Sequence, residues 1–379
     1  MEKFASPFAN VTLERLPLSQ QQSNLRAWDA ANELLLAHLN EQSTLSANTS
    51  ILLINDSFAA LACSLNQFNC SSWSDSIISH QAINHNFQLN KLDHRPEMHS
   101  SMEAPPHSYN VVLIKLPKSN ALLEQQLIDL HSSINSETII IAAGMVKYIT
   151  KNQIELFNKY IGPTTTSLAK KKARLIFSKP DIKSKPSSPY PTVIDIDELQ
   201  LRMSNYANVF SREKLDIGSR FFIENFKQLP TAKTIIDLGC GNGLLGIIAQ
   251  RLQSQAKITF ADESYMAVAS AERNYYDNIP TANNENSPNF IASDCLSQIE
   301  ATGIDLILCN PPFHQNNTVG DHIAREMFKQ SHQKLRQGGE LWIVGNRHLN
   351  YHISLKRVFT NCRTVASNKK FVVLAATKR

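Results

Sequence analysis

Short apolar runs that stop at a polar residue or a glycine recur through the second half of this chain: Thr234 to Asp237, Ile258 to Asp262, Asp305 to Asn310 and Glu340 to Gly345. Runs of that length without polar alternation suit strands buried on both faces of a parallel sheet. A helical or loop segment follows each. Phe290 to Ala292 supplies a further strand, third in chain order. Arg363 to Ala366 and Phe371 to Ala376 flank Ser367-Asn-Lys-Lys370 and predict a terminal hairpin. The pattern predicts a doubly wound α/β sheet with an antiparallel end.

The first half repeats this order. Ile51 to Ile54 precedes a turn and the apolar stretch Ala59 to Leu65, Asp75 precedes a polar helix ending at Asn90, and Tyr109 to Leu116 runs into Pro117. Even the endings match, Thr166 to Phe177 paralleling Thr364 to Leu374. An internal duplication with a period of about half the chain accounts for this, giving two tandem Rossmann-like sheets. Between them Lys179 to Pro191 holds four prolines, three serines and three lysines. Proline fixes φ and removes a donor, so this stretch predicts an extended linker. The expected domains are residues 1–190 and 191–379.

Composition adds bounds. A chain of 379 residues is long for one domain, and 42% hydrophobic with 19% charged residues is ordinary for a globular protein. The longest apolar run, Ile139 to Val146, falls short of the roughly 18 residues that cross a bilayer. Met1-Glu2-Lys3-Phe4 opens no signal-peptide core, so a soluble cytoplasmic protein is expected. Six cysteines without a CxxC pair argue for reduced thiols and against a zinc ribbon. A net charge of +5 is compatible with nucleic acid without requiring it.

The chemistry concentrates in the second half. Asp237-Leu-Gly239-Cys240-Gly241-Asn-Gly243-Leu-Leu-Gly246 follows a strand and opens an apolar helix, where glycines let backbone approach a nucleotide-like ligand. The spacing also fits a dinucleotide, with Asp262 placed for its ribose, and a plain tight turn is the bland alternative. Two features favour S-adenosylmethionine. The carboxylate of Asp237, at the strand end, can hold a cationic amino group directly or through water, whereas it would repel a pyrophosphate. The strand ending at Cys309 runs into Asn310-Pro311-Pro312-Phe313, a tetrapeptide that a dehydrogenase does not need. In an open α/β sheet both segments reach one crevice. There the Asn310 side-chain oxygen and the Pro311 carbonyl can accept N–H bonds from a conjugated exocyclic amine, the prolines stiffen the corner, and Phe313 offers a ring for stacking.

Asp262 or Glu263 can take the ribose hydroxyls, Asp262 being favoured. Asp294 can accept from the adenine amine or be an ordinary strand-end turn residue. Cys240, Cys295 and Cys309 read as apolar lining rather than metal ligands. His314 reads as a solvated loop residue that could touch substrate. Lys170, Lys171, Lys172 and Arg174 with the linker lysines Lys179, Lys183 and Lys185 form the densest basic cluster, a solvated face or a set of phosphate contacts.

Together with Val209-Phe-Ser-Arg-Glu-Lys-Leu-Asp-Ile-Gly218, these motifs resemble the class I methyltransferases of the methyltransferase small domain family over most of residues 200 to 379. With its degenerate first half the chain is similar to the twin-domain bacterial ribosomal RNA guanine-N2 methyltransferases, and its length is most like the members acting on the large subunit. The resemblance implies an enzyme with S-adenosylmethionine as methyl donor and the 2-amino group of one guanine in 23S rRNA as acceptor; the expected partner is ribosomal RNA or a ribosomal particle, and the expected state a monomer. It implies that Phe210 and Asp216 through Gly218 border the cofactor and that Asn310 to Phe313 hold the base. The first half departs from the pattern: Asn55-Asp-Ser-Phe-Ala59 replaces the glycine turn and Lys115-Leu-Pro-Lys118 replaces Asn-Pro-Pro-Phe. A second cofactor site is therefore not expected; RNA grip and support are, with Lys115 and Lys118 presented where the lost site stood. Other acceptors, an adenine or a protein glutamine amide, share the same tetrapeptide logic. A non-catalytic RNA-binding assembly factor is the reading from a different class.

Overall fold

A computed structural model describes residues 2–17, 25–42, 45–106, 108–181, 185–280, 286–312 and 318–379. Phe313, His314 and Lys183, singled out above, lie outside the described residues. The chain divides into two compact units, Met1–Tyr190 and Pro191–Arg379.

In the first unit a hairpin of β1 (Glu2–Ala5) and β2 (Asn10–Leu13) leads into α1 (Ala30–Glu41). Strands β3 (Ser50–Ile54), β4 (Asn69–Ser74), β5 (Glu97–Ser100), β6 (Val111–Lys115) and β7 (Ile139–Met145) follow, with α2 (Ala60–Ser64), α3 (Ile77–Asn90), α4 (Asn120–Asp129) and α5 (Lys151–Tyr160) among them. Strands β8 (Thr164–Thr166) and β9 (Ala173–Ser178) close the unit. The second unit repeats the series. Hairpin β10 (Thr192–Ile196) and β11 (Leu201–Asn205) leads into α6 (Ile217–Ile223), then β12 (Thr234–Leu238), α7 (Leu244–Leu252), β13 (Lys257–Asp262), α8 (Tyr265–Asn278), β14 (Asn289–Ala292), β15 (Ile304–Cys309), α9 (Thr318–Lys334), β16 (Leu335–Asn346), α10 (Tyr351–Phe359) and the edge hairpin β17 (Arg363–Ser367) and β18 (Phe371–Thr377).

The strand orders are β5-β4-β3-β6-β7-β9-β8 and β14-β13-β12-β15-β16-β18-β17, one topology twice. In both, the first five strands run parallel and the last two pairings are antiparallel. The expected doubly wound sheets with antiparallel ends are thus present.

The apolar runs form strands because successive side chains enter two different cores. In the second unit Ile235, Phe260, Leu308 and Trp342 join one cluster with Phe222 and Ile248, while Ile236, Leu238, Ile307 and Ile343 join another with Met327 and Phe359. Helices cover both faces. The duplication extends to polar detail. On α3 the Asn86 side chain accepts from Glu14 N at 2.8 Å and donates to Phe58 O at 3.2 Å; on α8 Asn274 accepts from Ser204 N at 2.7 Å and donates to Asn242 O at 3.0 Å. One turn further on, Asn90 and Asn278 bond the same hairpins again.

Sequence pattern missed β4, β5 and the β10–β11 hairpin. Described linker residues carry no helix or strand, but they are not loose: Tyr190 Oη donates to Glu124 at 2.8 Å and Lys185 pairs with Asp129 at 3.2 Å. Among the described residues, no helix is long and apolar enough to cross a membrane.

Candidate active site

The strand order reverses between β12 and β15, and a crevice forms where loops leave neighbouring strands in opposite directions. Register fixes what meets there. Leu238 lies opposite both Ala261 and Cys309, and Cys309 lies opposite Ile343. The next residues along are Gly239, Asp262 and Asn310, so the glycine turn, the end of β13 and the Asn-Pro-Pro corner emerge at one level. The two motifs converge.

Gly239, Gly241 and Gly243 take φ of +68, +54 and +84, and the turn is closed by Gly243 N donating to Cys240 O at 2.8 Å. A Cβ on Gly241 would meet nothing within 4 Å, so open space lies beside the turn's middle. Gly246 is the opposite case: a Cβ there would stand 2.3 Å from the Phe260 ring, and this close approach seats α7 on the sheet.

Asp237 has no exposed surface. Its Oδ2 accepts from Gly246 N at 2.8 Å, tying the start of α7 to β12, while Oδ1 is buried without a partner. Burial, with the nearby Asp262 charge adding to it, raises this carboxyl to about 8. Asp262, partly exposed, grips the turn as well: its Oδ2 accepts from Gly241 N and its Oδ1 from Ser264 N, both at 3.0 Å. Glu263 is exposed beside it. Asp294 follows β14, two residues beyond the Ala292 that pairs with Asp262, and burial raises its carboxyl. Phe210 is 67% exposed in the segment before α6, and Gly218 is buried within that helix. Cys240 and Cys309 are buried, which holds their thiols protonated, and Cys309 Sγ touches Met327 Sδ at 3.9 Å.

Asn310 is the most informative side chain. Its Nδ2 donates to Ser219 Oγ at 3.0 Å and lies 3.5 Å from Asp216 Oδ2. A carboxylate only accepts, so the NH2 must face α6. Its Oδ1, turned the other way, is buried without a partner among the described residues. Asp216 is itself held, capping α6 by accepting from Ser219 N at 2.8 Å. The following Pro311 is buried and Pro312 half-buried. Sequence reasoning missed Ser219, whose position three residues after a capping Asp was a usable signal. It also missed Asn205 and Asn274, which hold the turn through Asn242.

Equivalent positions in the first unit correct one expectation. Asn55 and Ala59 keep the left-handed φ of the turn's two ends, 62 and 64 degrees, but Ser57 does not take the place of Gly241 in that conformation. Lys115 occupies the position of Asn310, and it is not presented outward. Its Nζ pairs with Asp29 at 2.5 Å and Asn32 at 3.0 Å, the counterparts of Asp216 and Ser219. Asn55 then exchanges two 2.9 Å hydrogen bonds with Gln126 and donates to Lys115 O at 3.1 Å, bridging the turn to the neighbouring strand. A buried ammonium needs those acceptors, so it turns inward. Lys118 is exposed, 6.0 Å from the Tyr148 ring.

Strand order, glycine turn and Asn-Pro-Pro corner define the second unit as a class I methyltransferase fold, and the first unit repeats its strand order without the two motifs. A solved T. thermophilus 16S rRNA N2 methyltransferase, in complex with AdoMet and guanosine, matches 100% of this chain and 98% of its own with a TM-score of 0.77 at 18% identity, a likeness of fold. Residues 1–182 match the RLMG N-terminal domain and residues 200–375 the methyltransferase small domain. Two curated proteins named ribosomal RNA large subunit methyltransferase G are similar along their whole length: one from Ectopseudomonas mendocina at 47% identity, covering 100% of both chains, and one from Colwellia psychrerythraea at 44%, covering 99% of this chain and 100% of its own. The chain belongs to the ribosomal RNA large subunit methyltransferase G family.

Proposed function

We propose that the chain transfers a methyl group from S-adenosylmethionine to the exocyclic N2 amine of one guanine in 23S ribosomal RNA, with Asn310, Pro311, Pro312 and Phe313 holding the base. The observation that carries this is the Asn310 amide: its donor end is committed to Ser219 and Asp216, and its acceptor end is buried and unpaired beside the glycine turn. A buried acceptor without a partner costs about 1–3 kcal/mol, so its retention points to a ligand donor. An amine N–H supplies one.

The cofactor side is assigned to Gly239, Cys240, Gly241 and Gly243 of the turn, Asp237, Asp262 or Glu263, Asp294, Phe210 and Gly218. The residues present fit the donor. Open space lies at Gly241, the orphan Asp237 oxygen matches a cationic amino group, and Asp262, held by Gly241 N and Ser264 N, stands at the end of β13 where a ribose hydroxyl could reach its carboxylate. When bound, the donor supplies an electrophilic methyl on a cationic sulfur. The rest falls to the chain. Asn310 Oδ1 and the Pro311 carbonyl accept hydrogen bonds from the two amine N–H groups and set the plane of the nitrogen. Pro311 and Pro312 have no N–H to compete for those acceptors. Positioning of this kind can lower a barrier by on the order of 7 kcal/mol, and no strong base is needed because the amine becomes acidic only once alkylated.

As finer points, the enzyme acts as a monomer in the cytoplasm on rRNA or a ribosomal particle. Incubation with labelled S-adenosylmethionine and, in parallel, 23S rRNA, 16S rRNA, tRNA and a release factor tests the reading. Label on guanine N2 of 23S rRNA is expected. Label only in protein, or on adenine, overturns it.

A further inference from the structure

A second concavity lies in the catalytic unit, away from the glycine turn. It is a cavity of about 350 Å³ between α9 and the start of α10, lined among others by Arg325, His348, Asn350, Ser354 and Arg357. Among the described residues no carboxylate lines it, and neither arginine has an ion-pair partner there. Two uncompensated guanidinium groups in one polar hollow call for an anion.

The two units differ at this place. In the first, α5 begins with a full capping box, Thr150 accepting from Gln153 N and the Gln153 side chain from Thr150 N, both at 3.2 Å. In the second, α10 begins at Asn350, whose left-handed φ of 52 degrees leaves it with no side-chain cap bond. The positive end of α10 therefore opens into the arginine-lined hollow, while its counterpart is closed by its own side chains. Position follows from register. Asn346 ends β16 three residues past Ile343, the partner of Cys309, so α10 starts at the sheet end where Asn310 emerges.

We propose that this pocket binds backbone phosphate of the substrate RNA flanking the target base, with Arg325 and Arg357 as its charged walls. The inference rests on the function proposed above, since S-adenosylmethionine carries no phosphate and a phosphate site must serve the acceptor. Arg357 lies about 10 Å along α10 from Asn350 at the usual helical rise, so the hollow is longer than a single phosphate group.

The test uses the full chain and a 23S rRNA transcript. R325A/R357A should lower the slope of log affinity against log salt by about 1.5 to 2 and raise KM for RNA about tenfold or more, with kcat and cofactor affinity unchanged. S354D, which puts a carboxylate into the half-buried lining of the hollow, should weaken RNA binding in the same direction, and it decides the matter if the double alanine chain does not fold. An unchanged salt slope in R325A/R357A, or full RNA affinity in S354D, overturns the proposal. Stabilisation of the wild type by inorganic phosphate, lost in R325A/R357A while the RNA slope stays put, would mark a free-phosphate site and also overturn it. A wild type that neither binds nor methylates RNA sinks the proposed function instead, so the two failures are distinguishable.

Discussion

The two units share strand order and even their buried asparagines, yet differ at the residue after one strand. At the end of β15 the Asp216–Ser219 pair holds an amide and leaves a carbonyl oxygen unpaired; at the end of β6 the Asp29–Asn32 pair holds an ammonium, which carries no acceptor for an amine N–H. The anchor is common and the functional group is not. A site of this kind can therefore be absent without a change of fold, where a donor-only side chain takes the place of the amide. The buried carboxylate moves in the same way. In the second unit Asp237 on the strand accepts from Gly246 N, and in the first Asp56 in the turn accepts from Leu61 N and Ala62 N at 3.0 and 2.8 Å.

Transplanting Lys115 into the catalytic half breaks the comparison most sharply. Asn310→Lys should abolish methylation, and the milder Asn310→Ala should cut kcat by about 10²- to 10³-fold, the size expected for one preorganised transition-state contact. Titration calorimetry should show cofactor affinity in the alanine variant within a few-fold of wild type; an equal loss of turnover and affinity would show that Asn310 serves the donor rather than the acceptor.

A second exchange concerns packing. Gly246 faces Phe260, whereas its counterpart Ala62 faces the strand position occupied by Ser72. Gly246→Ala should destabilise the chain by about 1–3 kcal/mol through overpacking, and Ala62→Gly by about 1 kcal/mol or less. Urea unfolding checks both, and comparable losses would mean the two turns are equally crowded.

The pH response sharpens the role of Asp237. Burial raises its carboxyl to about 8 in the folded chain, against about 3.9 unfolded. The folded state therefore holds the extra proton, so the group's stabilisation is full below about pH 4 and is lost as pH climbs toward 8. Asp237→Asn should flatten the fall in melting temperature of the cofactor-free chain over that window. Because a bound cation favours the charged carboxylate, wild-type affinity for S-adenosylmethionine should rise toward pH 8 and the variant's should not.

The smallest effect belongs to Lys115. Lys115→Met removes an ammonium whose pKa burial has already lowered and whose partner Asp29 is 46% exposed, so stability should change by about 1 kcal/mol or less. Calorimetry should still give one cofactor per chain; a second equivalent would mean Lys115 alone had been closing the first crevice.

Much of this was legible in the sequence. Continuous apolar runs located β3, β6, β12, β13 and β15, because strands buried on both faces need no polar alternation. Glycine spacing and Asn-Pro-Pro then placed the crevice. Strand β4 was illegible because it reads Asn-Cys-Ser-Ser-Trp-Ser: its serines are buried in the sheet, and only Trp73 carries the usual signal. The inward turn of Lys115 was also hidden, since its partners lie on α1, more than eighty residues away in the chain. The asparagines of α3 and α8, spaced four apart in both halves, were visible and overlooked.

Asp262 reaches across two segments at once, fastening the middle of the glycine turn to the start of α8. The seat proposed for the methyl donor is consequently built before anything sits in it. Amide exchange at Gly241 then becomes a gauge of whether that seat is assembled.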